Sequence, residues 1–389
     1  MCYNSIVNII LEVKMRAFLL DNVLPFWMKH AVDYECGGLF NFIDREGKVY
    51  DTRKNVWFAG RTMYTYSKAY NEFDKNEKYL EVAKVMYGFL PKCELDASGR
   101  LPFIANREGK CVEKREFYYS ETFAAIGCAE YYIATGLEEA KHRAEKYFDI
   151  AYTLYKKELS KAKDPTAPLP ETKALGPSMI LLSTAQVMRK LDKEKYDPIA
   201  LECAEEILVH FIDGKALLEN VGLDGEFIDS AIGREVNPGH SLEAAWFVMA
   251  EGVYRNNARF IAEAKKIIDV SMKLGYRDGG IIAFCDCDGK PSDHLEWDMK
   301  IWWPQCEAMI ANRLCYSVTG EEKYLRDFAA LSEYCFSHYP DRAYGEWYPY
   351  LHYDGTVANS LKGNFSKGPF HLPRMLMLID KLERGENIL

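Results

Sequence analysis

The sequence predicts an all-α fold, an (α/α)6 barrel of six helical hairpins with short β-hairpins at one end. Two observations carry this. The first is a turn with an acidic residue directly before a glycine, which recurs as "DREGKV" at Gly47, "NREGKC" at Gly109, "GLDGEF" at Gly225, "CDCDGK" at Gly289 and "YDGTV" at Gly355. Each has the strand-like flanks of a tight hairpin. Successive turns are 62, 116, 64 and 66 residues apart, so the long gap reads as two units whose shared turn is replaced by the Pro-rich stretch "KDPTAPLPETKALGP". The second is the sequence between turns, which has room for two helices. Met63, Tyr66, Tyr70 and Phe73 form one stripe, and Leu242, Trp246, Met249 and Val253 another, both at helical spacing. Six hairpins, none able to bury its own face, close into a ring with inner helices lining a funnel. An open helical solenoid is the structural alternative. No structureless linker marks a boundary, so residues 1–389 read as a single barrel domain.

The elements begin with an amphipathic first helix in "MCYNSIVNIILEVKMRAFLLDNVLPFW", whose apolar run is interrupted by Glu12, Lys14 and Arg16 and lacks a small-residue cleavage site. No stretch reaches the roughly 18 uninterrupted apolar residues of a membrane span. The formal net charge is −9, with no run of Lys and Arg to track phosphates, so neither nucleic acid nor membrane is expected as a partner. Eleven cysteines lie singly in helical segments, the usage of a reducing cytoplasm and not of a disulfide framework. "CDCDG" at 285–289 reads as a turn with two ordinary thiols, since no second Cys or His pair stands at ligand spacing; no metal is expected.

Roughly 12 to 18 residues after each turn glycine, at or near a helix start, stands a polar residue: Arg61 in "WFAGRTMYTYS", Glu121 in "FYYSETFAA", His240 and Glu243 in "NPGHSLEAAW", Glu307 in "WWPQCEAM" and His371 in "KGPFHLPR". Taken singly, a His beside Pro is a cap, a first-turn Glu serves the helix dipole, and Trp297, Trp302, Trp303 and Trp347 are core. Shared phase changes the reading: rotation about one axis brings these residues to one mouth, an aromatic-rimmed pocket for a small polar ligand. Pro373 is expected at the first position of the last helix. His371 would then lie against the positive end of its dipole, and His240 would be placed similarly, so both rings are expected to be neutral at pH 7. Glu243, three residues beyond His240, is placed to orient that ring or to bind a ligand hydroxyl.

Aromatics beside carboxylates and an arginine suit a sugar. Two neutral histidines across it would exchange the proton on a carbon next to a carbonyl from one face to the other, which is epimerisation. A glycosidase needs instead two carboxylates about 5 or 6.5–9.5 Å apart, and Glu243 with Glu307 keep that reading open.

The segments "FAGRTMYTYSKAY", "NPGHSLEAAW", "LEWDMKIWWPQCEAMIA", "YGEWYPYLHYDGTV" and "KGPFHLPRML" resemble those of N-acylglucosamine 2-epimerases, also known as renin-binding proteins, from about Gly37 to about Met375. The final motif departs from the Trp-Lys-Cys-Pro-Tyr-His of the related cellobiose 2-epimerases, which favours the N-acylhexosamine branch. The resemblance implies a cytoplasmic homodimer that interconverts N-acetylglucosamine and N-acetylmannosamine without a redox cofactor, in the setting of sialic acid salvage. It implies His240 and His371 as the acid/base pair, with Arg61, Glu243 and Glu307 as polar partners. Glu121, Trp303, Trp297 and Arg374 are the candidate substrate contacts. Some members of the family respond to ATP; nothing in this chain resembles a phosphate-cradling P-loop, so a nucleotide effector is an expectation from the family alone. Gln305 stands where vertebrate members commonly have His. A disaccharide 2-epimerase, an aldose–ketose isomerase of the same fold and a non-catalytic sugar-binding toroid are the competing functions.

Overall fold

The computed structural model describes residues 15–115, 118–160 and 171–388. Residues 1–14 of the expected first helix, and 161–170 of the Pro-rich stretch, lie outside the described residues. The described part of the first helix, α1, covers residues 15–30 and carries a π-turn at Leu19–Val23. Pro25 sits at the start of the α-helical stretch that follows, and its missing N–H fits this local change of hydrogen-bond pattern. Eleven further helices follow: α2 (Val56–Glu72), α3 (Glu77–Cys93), α4 (Tyr119–Thr135), α5 (Glu138–Leu159), α6 (Leu175–Met188), α7 (Lys193–Val209), α8 (Pro238–Arg255), α9 (Ala258–Gly275), α10 (Trp302–Thr319), α11 (Glu322–His338) and α12 (His371–Glu383).

The even-numbered helices form the inner ring, each packed on the next from α2 to α12, and α12 closes back on α2. Each pairs with an odd-numbered outer helix, and the sixth hairpin joins the two ends of the chain, α12 against α1. This is the (α/α)6 barrel. Burial follows the layering. Inner α4 is buried continuously from Ser120 to Tyr131, whereas outer α9 buries only Phe260, Ala264, Ile267, Ile268, Ser271 and Gly275, a single stripe at helical spacing. At one place the inner ring is tighter than side chains allow: a Cβ on Gly60 would lie 2.3 Å from the Phe123 carbonyl carbon, and one on Gly127 2.6 Å from the Gly60 oxygen. Glycine at both positions lets α2 and α4 cross on bare backbone.

Inner-to-outer links of two to four residues lie at one end, two of them closed by the left-handed glycines Gly136 and Gly320. The long connections and short strands lie at the other end, the mouth. All five turn glycines have φ between 75° and 101° and donate N–H to the residue three before, as from Gly109 to Asn106 O (3.1 Å) and from Gly355 to His352 O (3.0 Å). The repeat seen in the sequence is therefore one turn geometry. Gly47, Gly109 and Gly355 close true hairpins. The strand before Gly289, Cys285–Asp286, pairs instead with Glu235–Val236, and Asn220–Gly222 before Gly225 pairs with Thr172–Ala174. Strands Lys54–Asn55, Thr172–Ala174, Glu235–Val236 and Lys300–Ile301 each run directly into, or one residue short of, an inner helix, so these short sheets set the height at which inner helices begin. Of the two thiols expected in that turn, Cys285 lies in the strand and Cys287 in the turn, and the two form no disulfide.

His210, at the end of α7, is buried with Nδ1 3.1 Å from Leu218 O. Burial pushes its pKa down to about 4, whereas in the unfolded chain it titrates near 6.5. The unfolded state therefore binds the extra proton between those values, and stability, complete above pH 6.5, is lost as pH falls towards 4. The loss reaches about 3 kcal/mol. His210→Asn, which keeps a donor near the Nδ1 position, is expected to flatten this part of the Tm–pH curve.

Candidate active site

The first turns of the inner helices are pinned before any ligand enters. Asn237 caps α8 by accepting from His240 N (3.1 Å), the preferred use of Asn at this position. Buried Gln305 holds α10 through Ile281 N (2.8 Å) and Ile281 O (2.7 Å), so this departure from the vertebrate pattern serves the scaffold. The chain enters α12 through Lys367, whose buried ammonium meets Glu346 at 3.0 Å, and Pro369 O accepts from Thr65 Oγ1 at 2.7 Å. α12 begins at His371 and not at Pro373. The ring thus belongs to the first helical turn.

These ends surround a cavity of about 270 Å³ lined by Trp57 and Arg61 of α2, Tyr119 and Phe123 of α4, Met179, Ile180 and Ser183 of α6, His240, Glu243 and Phe247 of α8, Trp303 of α10, and Phe370, His371 and Arg374 around the start of α12. Trp303 forms a wall shared by both histidines, its ring centroid 4.9 Å from His240 and 5.7 Å from His371. The histidines sit on alternate inner helices either side of α10. They reach the cavity from two directions, a third of the ring apart.

His371 Nδ1 lies 2.8 Å from Glu307 Oε1. The same carboxylate accepts from Arg374 Nη2 (2.7 Å) and Trp246 Nε1 (2.9 Å), and Arg374 also donates to Glu243. Among the described residues, Glu243, Glu307 and His371 are the trio whose ligand atoms cluster within 4.8 Å. Arg374 already supplies the cation there. It also binds both carboxylates that a glycosidase would use, Glu243 and Glu307.

Burial, reinforced by the charges of Arg61, Arg374 and His240, drives the His371 pKa well below 6.5, so its ring is neutral as expected. His240 departs from expectation. Burial again opposes its charge, but the carboxylate of Glu219, 3.0 Å from Nδ1, together with Glu243 and Glu235, raises its pKa. Position at a helix start does not decide both rings; a nearby full charge outweighs the partial charge of a dipole. Glu243, expected to orient His240 or to bind a ligand hydroxyl, does not orient the ring: it holds Arg374 and lines the cavity. Arg61 makes no ion pair among the described residues: its guanidinium lies 4.1 Å from the Phe123 ring, 4.6 Å from Phe370 and 4.7 Å from Trp57, and its buried Nε has no partner. Burial lowers its pKa to about 9, so it remains a cation at neutral pH.

Two expected contacts lie elsewhere. Glu121, the third residue of α4, points away from the axis and is buried against Arg100 Nε (2.7 Å) and Leu101 N (2.9 Å); Tyr119 and Phe123 take its place in the cavity. Trp297 stands in the loop before α10, 43% exposed, beside Arg277 and Lys290 at a separate surface cavity. Phase found the helices correctly but not which side of each first turn faces the axis. It also missed Glu219, which precedes its turn glycine, and the α6 residues, whose unit lacks the turn.

Residues 38–370 match the sequence profile of N-acylglucosamine 2-epimerase (GlcNAc 2-epimerase). The chain belongs to the N-acylglucosamine 2-epimerase family. It is 35% identical to the N-acylglucosamine 2-epimerase of Bos taurus, over 93% of this chain and 89% of the relative, and 34% identical to that of Homo sapiens, over 93% and 88%. A cellobiose 2-epimerase of Ruminococcus albus is 27% identical over 96% of this chain and 99% of its own. The fold matches the solved cellobiose 2-epimerase from Bacillus thermoamylovorans B4167 at a TM-score of 0.83 with 22% identity, over 96% of this chain and 99% of that one. Membership makes the chain an isomerase, an epimerase by the names of its relatives. No helix among the described residues is long and apolar enough to cross a membrane.

Proposed function

We propose that the protein interconverts N-acetyl-D-glucosamine and N-acetyl-D-mannosamine, with His371 and His240 as the two acid/base groups. The observation that carries this reading is the pair of histidines flanking Trp303 at one cavity, each anchored through Nδ1 to a carboxylate, so that Nε2 is the nitrogen left for substrate. One ring is driven towards the neutral form and the other towards the protonated form. A two-base epimerisation starts from that combination. The amino-sugar branch is favoured by 35% identity to an N-acylglucosamine 2-epimerase against 27% to a cellobiose 2-epimerase.

The sugar reacts in its open-chain form, because C2–H is acidic only beside the C1 aldehyde. The neutral histidine takes the C2 proton; the electron pair of that bond forms C1=C2, and the C1 oxygen gains the charge. Arg61, a cation with an unpartnered buried Nε, supplies donors to this oxygen. The protonated histidine then delivers its proton to the other face of C2 and the carbonyl reforms, with no net oxidation. Glu243, Glu307 and Arg374 hold the floor of the site as one ion-paired cluster, and Trp303 offers an apolar face to the sugar.

N-acetylmannosamine incubated with the protein in deuterated water is expected to yield N-acetylglucosamine carrying deuterium at C2, followed by NMR. A 2-ketose product would assign an aldose–ketose isomerase instead. Absence of C2 exchange with every 2-acetamido sugar tested would falsify the proposal.

A further inference from the structure

The two histidine–carboxylate pairs are chemically unequal. Glu307 shares its charge between His371 and the Arg374 guanidinium. Glu219 presents both oxygens to His240 Nδ1, at 3.1 and 3.0 Å. Its backbone is tied on both sides, with Glu219 N donating to Glu235 O (3.1 Å) and Glu219 O accepting from Leu175 N at the start of α6 (2.9 Å). This carboxylate is thus mounted between the strand that leads into α8 and the first residue of α6. The other groups facing His240 are Glu243 of the same helix, which binds Arg374, Glu235 of the neighbouring strand, 3.1 Å from His294 Nε2, and the neutral His371 of α12, held by Glu307; the two carboxylates add to the effect of Glu219. Trp303 of α10 contributes no charge.

We propose that Glu219 is the positioning residue of the reaction: it fixes the His240 ring through Nδ1–H, turns Nε2 to the cavity, and makes His240 the member of the pair that carries the proton in the resting enzyme. The inference rests on the two-histidine reading and adds to it a residue that touches no substrate. The physical cause is the balance of charge around each ring. Burial opposes the charge of both rings, so their neighbours separate them. Glu219 faces His240 with no Lys or Arg paired to it among the described residues and favours the imidazolium, whereas Arg61 and Arg374 beside His371 oppose its charge while Glu307 orients its ring. The sequence of events then has a fixed starting point. Resting enzyme binds the epimer whose C2–H faces His371, and turnover of the opposite epimer begins from the minor state in which the proton sits on His371. Both states hold the same number of protons, so kcat/KM has the same pH profile in the two directions.

Deprotonation of His240 sets the high-pH limb of that profile. Glu219→Gln keeps an acceptor but removes the charge, and is expected to lower kcat about 10²-fold with little change in KM. It should also move the high-pH limb down by about one pH unit or more in both directions. Glu219→Asp is expected to restore the limb and part of kcat. In wild-type enzyme, a ¹⁵N-histidine NMR titration, with the His240 signal assigned by comparison with His240→Asn, should show a pKa above 6.5 and a proton on Nδ1; this readout stands even where Glu219→Gln is poorly folded. An unmoved limb in a folded Glu219→Gln variant, or a wild-type His240 that titrates at or below 6.5, overturns the proposal. If His240→Asn itself still epimerises, the two-histidine reading falls first; if His240→Asn is inactive and only the limb is unmoved, Glu219 alone is acquitted.

Discussion

His371→Asn is expected to lower kcat/KM for epimerisation by about 10³- to 10⁴-fold, the upper range for removal of a general acid/base, while the barrel stays folded. The side chain is buried and neutral, and its Nδ1 contact is to Glu307 Oε1 at 2.8 Å. An asparagine amide can donate from a similar place, so Glu307 keeps a donor as well as Arg374 and no charge is stranded. The stability change should be within about 1 kcal/mol. His240→Asn is expected to cause a comparable loss of epimerisation, but the two variants should part in hydrogen exchange at C2. His240→Asn keeps the neutral base His371, which can still remove and return the C2 proton on its own face, so one epimer should exchange with deuterated water without being converted. His371→Asn keeps only the ring that Glu219 holds towards the protonated form, and exchange should be lost for both epimers near neutral pH. The asymmetry is read by NMR of C2–H in each sugar separately. Equal exchange in the two variants would remove the assignment of neutral and protonated partners, and full activity in both would remove the histidines from the mechanism.

The parts of this site that were legible in the sequence are those fixed by repetition. The turn glycines are spaced because each unit repeats one hairpin geometry, and the phase of Arg61, His240, Glu307 and His371 followed from inner helices that start at the same height. What the repeat does not encode is rotation about each helix axis. Glu121 has the right phase and the wrong side, because Arg100 and the Leu101 amide draw it outward. Arg374 lines the cavity, as a substrate contact requires, and also pairs with Glu243 and Glu307, a second task that phase does not announce. Glu219 was invisible for a different reason. Its contact with His240 depends on the pairing of Thr172–Ala174 with Asn220–Gly222, a long-range match between short strands that neither composition nor period announces. Charge states failed where this contact was missing: from the chain alone the two histidines look alike, and only their neighbours separate them.

Arg374→Met is expected to destabilise the protein by about 3–5 kcal/mol, the range for breaking a buried ion pair by removing one partner. Arg374 is 4% exposed and bonded to two carboxylates, Glu243 and Glu307, themselves 7% and 0% exposed. Methionine fills much of the same volume against Phe370, Trp246 and Phe247, so the loss isolates charge more than packing. Two buried carboxylates would then face each other with Arg61 as the nearest compensating cation, and the favoured escape is to take up a proton. In that variant the folded state binds a proton that the unfolded state has released near neutral pH. Its deficit relative to wild type should therefore be largest at pH 7 to 8 and shrink as pH falls towards 5. Glu307→Gln in the Arg374→Met background removes one of the stranded charges and should recover part of the lost Tm. It should recover no activity, because His371 then lacks the carboxylate that fixes its Nδ1 proton. Thermal unfolding of the wild type, the single variants and the double variant at pH 5 and 8 completes the cycle. Additive losses with no pH dependence would mean that Arg374 acts through packing alone, and that the ion-paired cluster is not what holds the floor of the cavity.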